Sequence, residues 1–141
     1  MDNYEEDCDE IRKENETLIN EFERWLNDSN LSKKVVDNHL SNIDFYINDY
    51  LLYEDAVEAK DGANYVGMFL GYWFIRKAMW ASQSSIKSNA ATLKKFYTFM
   101  HSKGFVSKEE VEELHLTIKE GMPEWLATLK RYDNPSIENV W

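Results

Sequence analysis

The stretch LSKKVVDNHLSNIDFYINDYLL, residues 31–52, decides the fold class. Val36, Leu40, Ile43, Ile47 and Leu51 recur every three or four residues, the period of one helix face. Ser32 stands just before them, where a hydroxyl caps a free backbone N–H. Leu31 beside it is placed to staple onto Val36. The other side carries Lys34, Asn38, Ser41 and Asn42. Lysine neutralises phosphate and asparagine reads a base edge, so this side is either a nucleic-acid surface or the solvated side of a bundle helix. Asp37 and Asp49 share it and oppose the first reading. Phe45 points the same way and is either covered by another helix or part of a partner surface.

Toward the N-terminus, residues 4–26 give a helix with Ile11, Leu18, Phe22, Trp25 and Leu26 as its apolar stripe. Its acidic first turn suits the positive end of the helix dipole. Toward the C-terminus, a polar linker at 53–62 leads into residues 63–80, apolar nearly all round, which predict a central buried helix. Gly67 and Gly71 lie four apart and predict close approach of a neighbouring helix. A fourth helix spans 86–103, with Ile86, Leu93, Phe96, Tyr97 and Met100 inward, and Gly104 stops it. Ser107 and Glu110 form a capping box that opens a fifth. Gly121 ends that helix, and Pro123 starts a sixth with Trp125, Leu126 and Leu129 inward. No strand pattern occurs. The expectation is a single all-α domain over 1–132, a compact bundle of five to six helices, with 133–141 a loose tail.

Hydrophobic residues make up 43% of the 141, which excludes a disordered chain. The one cysteine, Cys8, excludes an intrachain disulfide, and the acids around it predict an inert thiol in a reduced compartment. The longest apolar run, at 65–75, is too short for a bilayer and ends in Arg76 and Lys77. The acidic start is unlike a targeting segment. The expectation is a cytoplasmic protein with no membrane partner. His39, His101 and His115 lack zinc-ligand spacing, and no glycine-rich phosphate loop or nucleophile elbow occurs. The carboxylates fall in runs that read as solvated helix faces. The sequence therefore implies no catalytic set, metal site or cofactor, and a protein that is not an enzyme.

The formal net charge is −10, but residues 61–104 hold six basic residues against one acid, Asp61. Lys87, Lys94 and His101 are spaced by seven and line up beside the core stripe of their helix. Lys95 and Thr98 widen that line into a strip. Ser84 and Ser85 sit at the helix start, where free N–H groups favour phosphate.

Two stretches carry a family likeness. FERWLNDSNLSKKVVDNHLSNIDFYINDYL (22–51) and SSIKSNAATLKKFYTFMHSKGFVS (84–107) resemble helix pairs of the SAM-like core-binding domain of tyrosine recombinases, the phage integrases. With the helix between them, the likeness covers about 21–113. That family's core-binding domain is an all-helical clamp half gripping duplex DNA through helix faces and helix starts. The resemblance therefore implies Ser32, Lys33, Lys34, Asn38, Ser84, Lys87 and Lys94 as DNA contacts. The family's catalytic His-x-x-Arg is missing: Asn42, Gly104 and Ile118 stand three after the histidines. The resemblance thus implies a non-catalytic DNA-binding protein of DNA integration and recombination, with double-stranded DNA as partner and a recombinase or other protein as a further one. The alternative is an acidic protein-interaction module that kept the fold and lost DNA binding, using Phe45 and the tail ending in Trp141.

Overall fold

The computed structural model describes residues 3–132, and these fold into a compact set of five helices without a strand among them. The expected tail at 133–141 lies outside the described residues.

Helix α1 spans Tyr4–Asn27, with Glu5, Glu6 and Asp7 in its first turn. Its inner face buries Cys8, Ile11, Asn15, Phe22 and Leu26. Helix α2 spans Lys33–Asp44 and runs on as a π-helical segment, Phe45–Tyr50. Ser32 caps it: its Oγ accepts the Val35 N–H at 3.2 Å. The π segment has an identifiable partner. In an α-helix the Leu51 N–H would go to Ile47; here it bonds the Tyr46 carbonyl at 2.9 Å. The Ile47 carbonyl instead accepts from Asn15 Nδ2 of α1 at 3.2 Å, and the same amide donates to Asn48 Oδ1 at 2.8 Å.

Leu51 is buried, as expected of the last residue of the α2 stripe, and Leu52 beside it is buried too. The linker at 53–62 buries Ala59 and turns through a 3-10 segment, Ala59–Asp61; a second, Ala63–Tyr65, leads into the next helix. Two buried phenols pin it down: Tyr46 donates to the Gly62 carbonyl at 2.7 Å and Tyr97 to that of Ala59 at 2.8 Å. Burial pushes both phenol pKa values up, with Asp61 and Glu110 adding to the shift at Tyr97.

Helix α3 comprises Val66–Met68, a π turn Phe69–Trp73, and Phe74–Lys77. It corrects the expectation of a helix buried all round. Val66, Phe69, Leu70, Phe74 and Ile75 face the core, but Tyr65, Met68 and Tyr72 are exposed. It also stops at Lys77, because Ala78 is extended, which leaves Met79 and Trp80 at the surface. Phe45 is covered: it packs on Phe69, Trp73, Phe74 and Trp80, at centroid distances of 5.3 to 6.3 Å.

Helix α4 spans Gln83–Ser102 and begins earlier than expected, with Ser82 as N-cap in a capping box with Ser85. Gly104, at φ 81, ends it: the Phe105 N–H reaches the Met100 carbonyl and the Gly104 N–H that of His101. Helix α5 spans Lys108–Tyr132 and opens with the expected Ser107–Glu110 box, both bonds at 3.1 Å. It runs unbroken through Gly121 and Pro123, so the fifth and sixth expected helices are one. The reason is tertiary. A Cβ on Gly121 would lie 2.3 Å from Trp125, and one on Gly71 of α3 would lie 2.6 Å from it. Both glycines thus make room for the Trp125 ring between α3 and α5. Pro123 and Lys119 are exposed, so the carbonyl that loses its donor at the proline meets water.

The main core joins all five helices, with Phe22, Ile43, Tyr46, Phe69, Phe96 and Leu114 among its members. A smaller cluster of Cys8, Ile11 and Leu52 seats the start of α1 on the linker.

Candidate nucleic-acid interface

Helices α2 and α4 lie side by side along a polar seam. Asn42 Nδ2 donates to Ser88 Oγ and Thr92 Oγ1, each at 3.0 Å. His39 Nδ1 lies 2.7 Å from Thr92 Oγ1. The Thr92 hydroxyl donates to the Ser88 carbonyl at 3.1 Å. Its one hydrogen is then used and both lone pairs face donors, so His39 presents Nδ1–H. Burial first, and the Lys95 charge second, lower the His39 pKa and keep the ring neutral near pH 7. Asn42 therefore belongs to the seam between helices rather than to an open DNA-facing side.

Higher numbers on α2 meet lower numbers on α4, so the two helices run antiparallel. That register sets Lys34 and Asn38 level with Lys94, Lys95 and Thr98. Lys87 stands one heptad from Lys94, about 10 Å along the axis at 1.5 Å per residue. Ser84 lies a further turn toward the helix start.

The expected contact residues divide by how committed they already are. Ser32 spends its oxygen on the cap. Lys33 is paired with Asp37 at 3.0 Å. Ser84 is exposed and lies 3.3 Å from the capping Ser82. Lys34, Asn38 and Lys87 are exposed and Lys94 half-buried. Lys95, half-buried at the seam, joins them although the resemblance did not point to it. Among the described residues, Lys34, Lys87, Lys94 and Lys95 form no ion pair, whereas Arg12, Lys33, Lys60, Lys103, Lys108 and Arg131 do.

Acids are sparse on this face. The 20 residues of α4 include three lysines and no aspartate or glutamate. On α2, Asp37 is neutralised by Lys33, and Asp44 accepts from Asn48 Nδ2 at 2.6 Å. Asp49 closes one end, lining a hollow of about 310 Å³ with Asp44, Phe45 and Trp80. Burial, then the Asp44 charge, raise its pKa. Phosphate is thus opposed at the Asp44–Asp49 end, with which Ser84 and Lys87 are level in the same register, while α4 itself adds no carboxylate.

No group of three His, Cys, Asp or Glu side chains suited to a metal occurs among the described residues. No described helix is long and apolar enough to cross a membrane. No protein-family model matches the chain, and no curated protein or solved structure matches it significantly.

Proposed function

We propose that the protein binds duplex DNA without catalysing a reaction, through the outer face of the α2–α4 pair, as the core-binding half of a tyrosine recombinase does. One observation carries this reading. In a chain of net charge −10, a 20-residue helix free of carboxylates lines up lysines that form no ion pair among the described residues. Lys34, Lys87, Lys94 and Lys95 supply four phosphate contacts, and Asn38 stands among them as the amide able to reach a base edge.

Four contacts set the salt dependence. At ~0.9 per phosphate, the slope of log K against log salt is about −3.6, so affinity falls about 150-fold between ~50 and ~200 mM salt. Binding of a fluorescent duplex measured across that range, with wild type and with Lys94→Glu/Lys95→Glu, tests the proposal. The double variant should abolish binding. No binding of wild type at the lower salt, or binding unchanged by the substitutions, refutes it.

A further inference from the structure

The face of α3 that the sequence placed in the core instead forms one wall of an open groove. Met68 is 60% exposed, Tyr53 55% and Tyr72 54%. With Tyr50, Tyr65 and Trp73 they line a cavity of about 280 Å³. A second cavity, of about 430 Å³, shares Val57 and Tyr65 with the first. Its wall is different: Asp7, Glu10 and Glu14 of α1 face Glu58 and Asp61 of the linker. Glu54 and Asp55 stand in the aromatic cavity itself. Among the described residues, seven carboxylates thus line the two cavities, and no lysine or arginine lines either. Of the seven, only Glu58 is ion-paired among the described residues, with Lys60 at 3.5 Å.

We propose that this groove docks a basic segment of a partner protein, one carrying an apolar side chain beside lysine or arginine. Charge complementarity selects the occupant. Unpaired carboxylates around exposed tyrosines repel nucleic acid and anionic lipid, and attract cations that also stack on the rings. The groove's tyrosines already take cations at its rim: the Arg76 guanidinium lies 4.0 Å over the Tyr72 ring and the Lys77 ammonium 5.6 Å over that of Tyr53. The apolar cavity explains why charge alone is insufficient. Met68 and the tyrosines offer an adaptable surface for an aliphatic anchor. Among the described residues the buried Trp73 indole N–H has no acceptor, and a peptide bound beside Trp73 would bring backbone carbonyls where a simple amine brings none. The groove shares no residue with the lysines of the α2–α4 face, so this inference stands apart from DNA binding.

The probe is a fluorescein-labelled twelve-residue peptide alternating leucine and arginine, titrated into the full chain by anisotropy. Two control peptides replace every arginine by glutamate or every leucine by serine. Binding of the first peptide, with at least tenfold weaker binding of both controls, is expected. Tyr65→Ser/Met68→Ser and Glu10→Lys/Glu14→Lys should each weaken it at least tenfold, with far-UV circular dichroism unchanged. Lys94→Glu/Lys95→Glu should leave it within twofold. The Trp73 indole resonance, assigned by Trp73→Phe, should shift on titration. No binding overturns the proposal, as does equal binding of the serine control, which marks general attraction to an acidic protein. Self-association in sedimentation that the groove variants abolish would assign the face to a second copy and overturn it too.

Discussion

Replacing Gly121 by alanine sets local preference against packing. Inside an exposed helix the change stabilises by about 1 kcal/mol, since glycine is the costlier residue there. Here the added Cβ would lie 2.3 Å from Trp125 Cζ2 and 2.5 Å from Cε2, distances that real Cβ atoms essentially never show. Trp125 cannot simply yield, because it is buried and also lies against Gly71 of α3. Overpacking of a core costs about 1–3 kcal/mol and outweighs the propensity gain. Gly121→Ala should therefore lower the urea midpoint. In a Trp125→Leu background the obstacle is gone and the same change should raise it. This sign reversal separates a continuous α5 from a helix that ends at Gly121. A terminal glycine at positive φ would be damaged by alanine in either background. A loss that Trp125→Leu leaves intact would refute the packing argument.

Further outcomes follow from the same geometry. Asn15→Leu should cost about 1–3 kcal/mol in urea unfolding, because it strands the buried Ile47 carbonyl that the π segment leaves to Asn15. Tyr46 and Tyr97 are held above the ordinary phenol value of ~10, so the unfolded chain releases those protons first. Stability should be complete below about pH 10 and fall as pH rises beyond it, and Tyr97→Phe should blunt that fall while lowering stability at neutral pH. His39 has the opposite sign: its pKa is depressed, so its contribution holds above ~6.5 and is lost as pH falls, which His39→Gln should flatten in a pH series of thermal midpoints. DNA affinity plotted against salt on logarithmic axes should flatten below ~20 mM, where the screening length approaches ~30 Å and remote acids act on phosphate. A line straight to ~10 mM would refute that view of the charge distribution.

What was legible in the sequence was legible because its cause is local. Ser32, and Ser107 with Glu110, cap their helices through residues three apart, and the structure has those bonds. Gly104 stops α4 at positive φ, as expected of a glycine just past the end of a helix. What the local pattern does not show depends on residues distant in the chain. Gly121 looks like a terminator until Trp125 and α3 are in place. The π segment needs Asn15, 32 residues before Ile47. Around the start of α3, tyrosine and methionine count as apolar in a periodicity, yet Tyr65 of the preceding turn, Met68 and Tyr72 recur at three and four and are all exposed. The candidate DNA face was legible as a helix side but not as a surface. A seam asparagine such as Asn42 and an open one such as Asn38 have the same letter and nearly the same period.

The net charge of −10 weighs less against DNA than it first suggests. At physiological salt the screening length is ~8 Å, so a docked phosphate responds to charges within one or two side chains of it. A 20-residue helix is about 30 Å long, several screening lengths, and α4 carries no carboxylate along it. The acids nearest in sequence to the α2 contacts are partly committed: Asp37 to Lys33, and Asp44 to Asn48. On the proposed reading the total charge would act on association from afar and at low salt, while affinity at working salt would be set by Lys34, Lys87, Lys94 and Lys95. The same segregation leaves acids of α1 and the linker gathered around the tyrosine-lined groove, where a cationic partner would compete with Arg76 and Lys77 for the rings of Tyr72 and Tyr53 but not for the carboxylates of Glu10 and Glu14.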